Sequence, residues 1–159
     1  MSAAAGAEPL RLRLTGSALP FQLSSVRSRV AAWAEGLGAP PGMVDDLVLA
    51  THEALANIAD HAYADRADLD GQTGPAFLDA ELTTVGEIVV MVRDEGRWRP
   101  PVADPGWRGR GLVIIRGLSD DVQIRHDDSG TTVQMRWRLH RAADPLNQQD
   151  HGTGQTGSR

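Results

Sequence analysis

The sequence contains no cysteine and no lysine, and only 4% of its 159 residues are aromatic. Without cysteine, disulfides, thiolate metal ligands and thiol nucleophiles are excluded. Because lysine is absent and all 16 residues counted as lysine plus arginine are arginine, a Walker lysine, a kinase-type strand lysine and a lysine Schiff base are excluded as well. No apolar run approaches the roughly 18 residues of a membrane span, and no signal peptide is visible. We therefore expect a soluble, cytoplasmic protein that has no membrane partner.

The charge and the length limit the partners and the number of domains. The formal net charge is −5, which does not suit binding to a phosphate backbone, so we expect no direct nucleic-acid partner. A chain of this length forms one domain. We expect residues 1–9, which are Ala-rich, and residues 141–159, which are polar and Gly-rich, to be disordered. The ordered domain then covers residues 10–140.

The apolar periodicity changes several times along this domain. Strict alternation predicts a strand at 10–14, and helical spacing predicts helices at 20–38 and 43–63. We further predict strands at 76–85 and 87–93, a short helix at 112–118, and strands at 121–125 and 131–139. Because consecutive strands are joined by hairpins, we predict an α+β fold: a two-layer sandwich with a mixed, mainly antiparallel sheet and helices on one face. Residues 94–110 form a long loop, which is typical of a functional lid.

The second predicted helix carries a polar stripe. Glu53, Asn57 and His61 are spaced i, i+4 and i+8, so they lie on one side of the helix. A carboxylate with a carboxamide one turn away suits a hard cation, and the carboxylate can also polarise a neighbouring hydroxyl. An ordinary solvated helix face accounts for the same pattern, and a packing or capping role suits His61.

Two further motifs follow the helix. The apolar strand that ends at Asp94 is followed by Gly96, and a strand-end aspartate in an apolar pocket can accept a hydrogen bond from an exocyclic amine such as that of adenine. The second motif comes directly before a helix, where backbone N–H groups bind anions, and consists of Arg108, Gly109, Arg110, Gly111 and Leu112. Each motif by itself is also compatible with an ordinary turn.

The order of the motifs is more specific than any one of them. It resembles the GHKL ATPase fold, also called HATPase_c, over residues 10–140. Glu53 and Asn57 match the N box, Asp94 and Gly96 the G1 box, Gly109 and Gly111 the G2 box, and Gly130 with Thr131 the closing Gly-Thr. Within that superfamily the segments EALANIADHAY and GRGLVIIRGLSDDVQI resemble the RsbW-like anti-sigma-factor serine/threonine kinases. The stretch GRWRPP resembles the actinobacterial type of this branch.

The resemblance implies a role for each matching residue. Glu53 would be the general base, and Asn57 would bind both Mg²⁺ and the nucleotide. The other residues implied in ATP binding are Asp94, Gly96, Arg108, Gly109, Arg110, Gly111, Leu112 and Thr131.

The resemblance also implies partners. The chain would sequester a sigma factor and phosphorylate an anti-anti-sigma factor that has a STAS domain, and a homodimer stays open. One alternative is a non-catalytic ATP-binding module that acts by partner binding alone. The catalytic module of a histidine kinase ranks last, because no helix pair with a phospho-accepting histidine precedes residue 10 in this sequence.

Overall fold

The computed structural model of the protein describes residues 7–15, 19–59, 74–96 and 110–139. Its elements, in chain order, are β1 (Leu10–Thr15), α1 (Leu19–Gly36), α2 (Pro41–Asn57), β2 (Pro75–Leu82), β3 (Glu87–Asp94), α3 (Arg110–Leu118), β4 (Asp121–Asp127) and β5 (Gly130–Arg138). This is the predicted order, with most element ends shifted by a few residues. The predicted continuation of the second helix from residue 60 to residue 63 lies outside the described residues, as does the lid from residue 97 to 109.

The strands form one five-stranded sheet in the order β1-β2-β3-β5-β4. Every strand pair in the described part of the chain is antiparallel, so the predicted α+β fold with a mainly antiparallel sheet is confirmed. The hairpins join β2 to β3 and β4 to β5, whereas the pairing of β3 with β5 places Arg93 opposite Thr132. The strands β1 and β4 form the two edges.

The helices cover one face of the sheet. Alternate strand residues such as Leu12, Leu78, Val90 and Met135 are buried against them, as the period of two in a strand requires. On α1 the buried residues Val26, Val30 and Ala34 are four positions apart, so they form one apolar stripe. The opposite face of the sheet is polar, and there Arg93 lies 4.5 Å from the ring centroid of Phe77.

Proline and glycine mark the ends of several elements. Pro40 has an extended backbone, and α2 begins with a proline in its first turn, where the missing N–H costs nothing. Gly86 has φ +81° and closes the turn between β2 and β3, with its N–H donating to the Thr83 carbonyl at 3.0 Å. Because this turn begins at Thr83, β2 ends at Leu82, three residues earlier than predicted.

Two tryptophan side chains connect elements that are distant in sequence. Trp137 Nε1 donates to the carbonyl of Leu118 at 2.7 Å and ties the end of α3 to β5. Trp33 Nε1 donates to the carbonyl of Glu8 at 3.0 Å. Residues 1–6 and 140–159 lie outside the described residues, so the predicted domain limits stay predictions. Among the described helices, none has the length and apolar character needed to cross a membrane.

Candidate functional site

Asp94 is the last residue of β3 and is 5% exposed. Its Oδ1 accepts hydrogen bonds from the backbone N–H of Gly96 at 2.8 Å and from that of Thr131 at 3.4 Å. The first bond comes from the loop that leaves β3, and the second comes from the neighbouring strand β5. The carboxyl group is therefore held in one orientation by two strands, and both described bonds use the same oxygen.

The electrostatics of Asp94 follow from its burial. Loss of hydration raises the pKa of this carboxyl group, and the N–H bonds from Gly96 and Thr131 lower it in part. A ligand that donated a further hydrogen bond would favour the charged form and so lower the pKa again. The Asp94 carboxylate is thus able to accept a further hydrogen bond from a donor group.

Gly130 allows the two strands to approach each other at this point. It has φ +141°, and a Cβ atom placed there would lie 2.0 Å from the carbonyl oxygen of Asp94. No side chain fits at that distance, so only glycine brings Thr131 within reach of Asp94. The sequence indicated Gly130 as part of the closing Gly-Thr, but it did not show this close approach.

The second group of site residues lies on α2. Glu53 and Asn57 are both partly buried, and the neighbouring Ala54 and Leu55 are fully buried in the core. The polar stripe therefore borders the apolar face of the helix, and it is not a fully solvated surface. The third member of the predicted stripe, His61, lies outside the described residues.

Asn57 lies against the start of α3. A Cβ atom at Gly111 would be 3.0 Å from both Asn57 Nδ2 and Asn57 Oδ1, and Gly111 is buried. The absence of a side chain at Gly111 thus makes room for the carboxamide beside the first turn of α3. Two of the motifs that the sequence singled out are brought together here.

The other predicted residues of the motif at 108–112 differ in their exposure. Arg110, the first residue of α3, is exposed, and Leu112 packs against the hydrophobic core. Leu112 therefore positions α3. Arg108 and Gly109 lie outside the described residues. The structure thus joins Asp94, Gly96 and Thr131 in one group and Asn57 with Gly111 in another.

Two buried polar atoms on α2 were not predicted. Thr51 is 2% exposed, and neither its Oγ1 nor Nδ1 of the next residue, His52, has a hydrogen-bond partner. The helical spacing of the apolar residues on α2 includes position 51, which agrees with the burial of Thr51, but no local pattern indicates the unpaired hydroxyl.

The residues around Asn57 fit a magnesium ion that takes most of its ligands from water and phosphate. Within the described residues, no group of three or more His, Asp or Glu side chains could share a metal. Mg²⁺ often takes one or two protein oxygens and completes its shell with water and phosphate. The Asn57 carboxamide, next to the space left by Gly111, can supply one such oxygen.

Comparison with known proteins identifies the class of this fold and site. The Histidine kinase-like ATPase domain family matches residues 16–137. The chain belongs to this family, and the family implies binding of ATP. The histidine kinase domain of the blue-light activated histidine kinase of Erythrobacter litoralis has the same fold, with a TM-score of 0.54 at 24% identity over 76% of this chain and 61% of that chain.

More particular relatives are serine-protein kinases named RsbW. The one from Halalkalibacterium halodurans is 28% identical over 84% of this chain and 86% of its own length. The one from Bacillus thuringiensis is 28% identical over 70% of this chain and 75% of its own length. The crystal structure of the RsbU and RsbW domains of a Mycobacterium tuberculosis protein matches with a TM-score of 0.66 and 27% identity, over 86% of this chain and 34% of that chain. These matches confirm the predicted resemblance to the GHKL fold and its RsbW-like branch.

Proposed function

We propose that the protein is an ATP-dependent serine/threonine-protein kinase and anti-sigma factor that phosphorylates a STAS-type anti-anti-sigma partner. The observation that carries the proposal is the contact between Asn57 and Gly111. This contact brings the carboxamide of Asn57 to the start of α3, where the sequence predicts an anion-binding site. The RsbW serine-protein kinases among its relatives support the same activity.

The nucleotide is proposed to lie between the two groups of residues. Asp94 Oδ1 already accepts two backbone N–H bonds, so Oδ2 is the atom for the exocyclic amine of adenine. Gly96 would border the adenine ring. The phosphates would lie at the start of α3, where free N–H groups and the helix dipole favour negative charge. Gly109, Gly111 and the arginines Arg108 and Arg110 would contact them, with Thr131 holding Asp94 in place.

Asn57 would supply one oxygen to Mg²⁺, and the ion, when bound, would neutralise phosphate charge. Glu53 lies one turn before Asn57 on the same helix and is partly buried, so its carboxylate is placed on the same side. We propose that it accepts the proton of the partner's serine hydroxyl. The hydroxyl oxygen then bonds to the γ-phosphorus while the bond to the β–γ bridging oxygen breaks and ADP leaves.

The partners follow from this activity. We propose that the chain holds a sigma factor in one nucleotide state and the STAS protein in the other, because a ligand shifts an equilibrium only through a difference in affinity. The phosphoryl group would add negative charge next to ADP and Glu53, which favours release of the product. We place the protein in the cytoplasm, without a membrane or nucleic-acid partner, and a homodimer stays open.

A phosphotransfer assay tests the proposal. The full chain is incubated with labelled ATP, Mg²⁺ and purified STAS proteins of the same organism. Glu53→Gln should lower the transfer rate by roughly 10²–10⁴-fold while keeping the affinity for ATP. The matched control is Asp45→Asn, which removes the same charge from an exposed position on the same helix and should keep the full rate.

Two outcomes would contradict the kinase assignment. Equal rates for the wild type and Glu53→Gln on a verified substrate would remove Glu53 from the mechanism. Binding of ATP without transfer to any STAS protein, together with capture of a STAS protein or a sigma factor, would instead support the non-catalytic regulatory module.

A further inference from the structure

The helices leave one face of the sheet open, and a line of four side chains crosses that face. The strand registers place Phe77 opposite Arg93 and Arg93 opposite Thr132. Thr132 in turn lies opposite Arg125 on the edge strand β4. Residues directly opposite each other share one side of a sheet, and the adjacent Val92 is buried in the core, so all four lie on the open face. We call this line the basic row, and it does not include the outer edge of β1.

The carboxylates of the open face lie outside this row. Asp79 Oδ1 lies 3.8 Å from Arg11 Nε, and Glu87 Oε1 lies 4.0 Å from Arg138 Nε. Glu95 follows the end of β3 and lies beyond the row. Within the described residues, the two arginines of the basic row take part in no ion pair. An acidic surface therefore complements the row, because each carboxylate would meet a guanidinium group that holds no other carboxylate.

The aromatic ring of Phe77 orders one end of the basic row. The guanidinium carbon of Arg93 lies 4.5 Å from the ring centroid, and that of Arg13 lies 5.8 Å from it. Such cation–π contacts restrict the conformations of the arginine side chains, which lowers the entropy that a partner must supply when it orders them. Phe77 is partly buried, whereas Arg93 and Arg125 are exposed. The row thus presents a small apolar surface beside two exposed cations.

The spacing of the row indicates the secondary structure of the partner. Neighbouring strands lie about 4.8 Å apart, so Arg93, Thr132 and Arg125 follow Phe77 at about 5, 10 and 14 Å along the row. On one side of an α-helix, positions i+3, i+7 and i+10 follow position i at about 4.5, 10.5 and 15 Å. In an extended segment, side chains on one side repeat every ~6.7 Å, which matches neither of the first two distances. A helix that crosses the strands therefore fits the row better than an extended segment does.

We propose that the basic row binds an acidic amphipathic helix of a partner protein, which lies across β2, β3, β5 and β4. An apolar residue at position i would contact Phe77, and carboxylates at i+3 and i+10 would pair with Arg93 and Arg125. A polar side chain at i+7 would form a hydrogen bond with the Thr132 hydroxyl. The formal net charge of −5 disfavours a nucleic acid as the occupant. The surface lies on the open face and does not depend on the proposed kinase activity.

A labelled synthetic helix tests the proposal in the absence of nucleotide. The probe has about 20 residues, consists mainly of alanine and glutamine, and carries leucine, glutamate, glutamine and glutamate at i, i+3, i+7 and i+10. Fluorescence anisotropy with the full chain should show binding that weakens as salt is added. An isomer of the probe that carries its second glutamate at i+12, on another side of the helix, should bind about fivefold more weakly or less.

Matched variants of the chain make the test specific. Arg125→Glu should weaken binding of the probe about tenfold or more, because it replaces an ion pair by two like charges. Arg138→Glu makes the same charge change on the same face, six residues along β5 from Thr132 and so about 20 Å from the row, and should leave binding unchanged. A probe with arginine at i+10 should bind Arg125→Glu more tightly than the wild type, a reversal that a merely structural role of Arg125 would not produce.

Several results would overturn the proposal. They are the absence of binding, equal affinity for the probe and its isomer, an equal effect of Arg125→Glu and Arg138→Glu, and no gain from the exchanged charges. A single-stranded oligonucleotide that binds through Arg125 where the probe does not would assign the row to a nucleic acid. A dimer in solution that Arg125→Glu dissociates would assign it to a second copy of the chain. None of these measurements involves ATP, so a failure here is distinct from a failure of the proposed kinase activity.

Discussion

Replacing Asp94 by asparagine should separate nucleotide binding from folding. Asparagine has the same shape, and its Oδ1 can still accept the N–H groups of Gly96 and Thr131, which lie 2.8 and 3.4 Å from Asp94 Oδ1. The change replaces the second oxygen, which accepts no hydrogen bond from the described residues, by an NH₂ group. The fold should therefore survive a substitution that turns the proposed adenine contact from an acceptor into a donor.

The expected loss of affinity follows from this reversal. A hydrogen bond to a charged group contributes about 1.5–3 kcal/mol to the free energy of binding. In the variant the adenine amine would face the NH₂ group of asparagine, and two donors that face each other in a buried site lose at least that free energy. A loss of about 2–3 kcal/mol corresponds to roughly 30- to 150-fold in the dissociation constant of ATP or ADP. Isothermal titration calorimetry on the wild type and the variant measures this ratio directly.

The stability of the variant should change in the other direction. Burial raises the pKa of Asp94 in the folded state, so the ionised carboxylate lowers the stability of the fold above that pKa. This cost disappears as the pH falls through the folded pKa, because the protonated form is the one that the fold prefers. Since asparagine is neutral at every pH, Asp94→Asn should melt at or above the wild-type temperature at neutral pH, and this advantage should vanish in acid.

The pH dependence of binding gives a second measure of the same carboxyl group. A ligand amine prefers the ionised carboxylate, so the affinity of the wild type for ATP should fall as the pH decreases through the pKa of Asp94 in the free protein. The variant should lack this component. Asp79→Asn removes the same charge from an exposed position on β2 and should keep the wild-type affinity and pH profile. An unchanged affinity of Asp94→Asn, or an equal loss in Asp79→Asn, would refute the adenine contact.

Two pairs of glycine substitutions test the other close approaches. Gly130→Ala would place a Cβ atom 2.0 Å from a backbone oxygen and should cost about 2–4 kcal/mol in the free energy of unfolding, measured by urea titration. Gly38→Ala, which also has positive φ but has open space around it, should cost only about 1–2 kcal/mol, and equal costs would contradict the clash. Gly111→Ala should displace the carboxamide of Asn57, 3.0 Å from the new Cβ, and weaken Mg²⁺-dependent ATP binding. Gly117→Ala, on the same helix with nothing within 4 Å, should leave that binding unchanged, and an equal effect would contradict the proposed role of Gly111.

Local patterns were enough to predict the order and type of the elements. The alternation in β1 and the four-residue spacing of Val26 and Val30 on α1 are properties of neighbouring residues, and they determine which side of a strand or helix is apolar. The ends of the helices and strands were predicted less accurately. The third helix begins at Arg110, two residues before the predicted start, because Gly111 belongs to its first turn and not to the preceding loop.

The candidate site could be predicted as a set of residues but not as an arrangement. The motifs indicated Glu53, Asn57, Asp94 and Gly111, and the resemblance to the GHKL fold gave each a role. The structure brings Asn57 to Gly111. Leu112 is partly buried against the core, and its contact with the nucleotide stays a prediction. Arg108 and Gly109 stay predictions.

The sequence by itself determined which chemical groups this chain can offer. Arginine takes the place of lysine throughout, a carboxylate and a carboxamide lie one turn apart, and glycines precede a helix. Tertiary structure alone decided which of these groups meet, because contacts between distant segments depend on strand order and on helix packing. The pairing of β3 with β5 brings Thr131 to Asp94, and the packing of α2 against α3 brings Asn57 to Gly111. Neither result is contained in a local pattern, since each depends on two segments that only the folded sheet brings side by side.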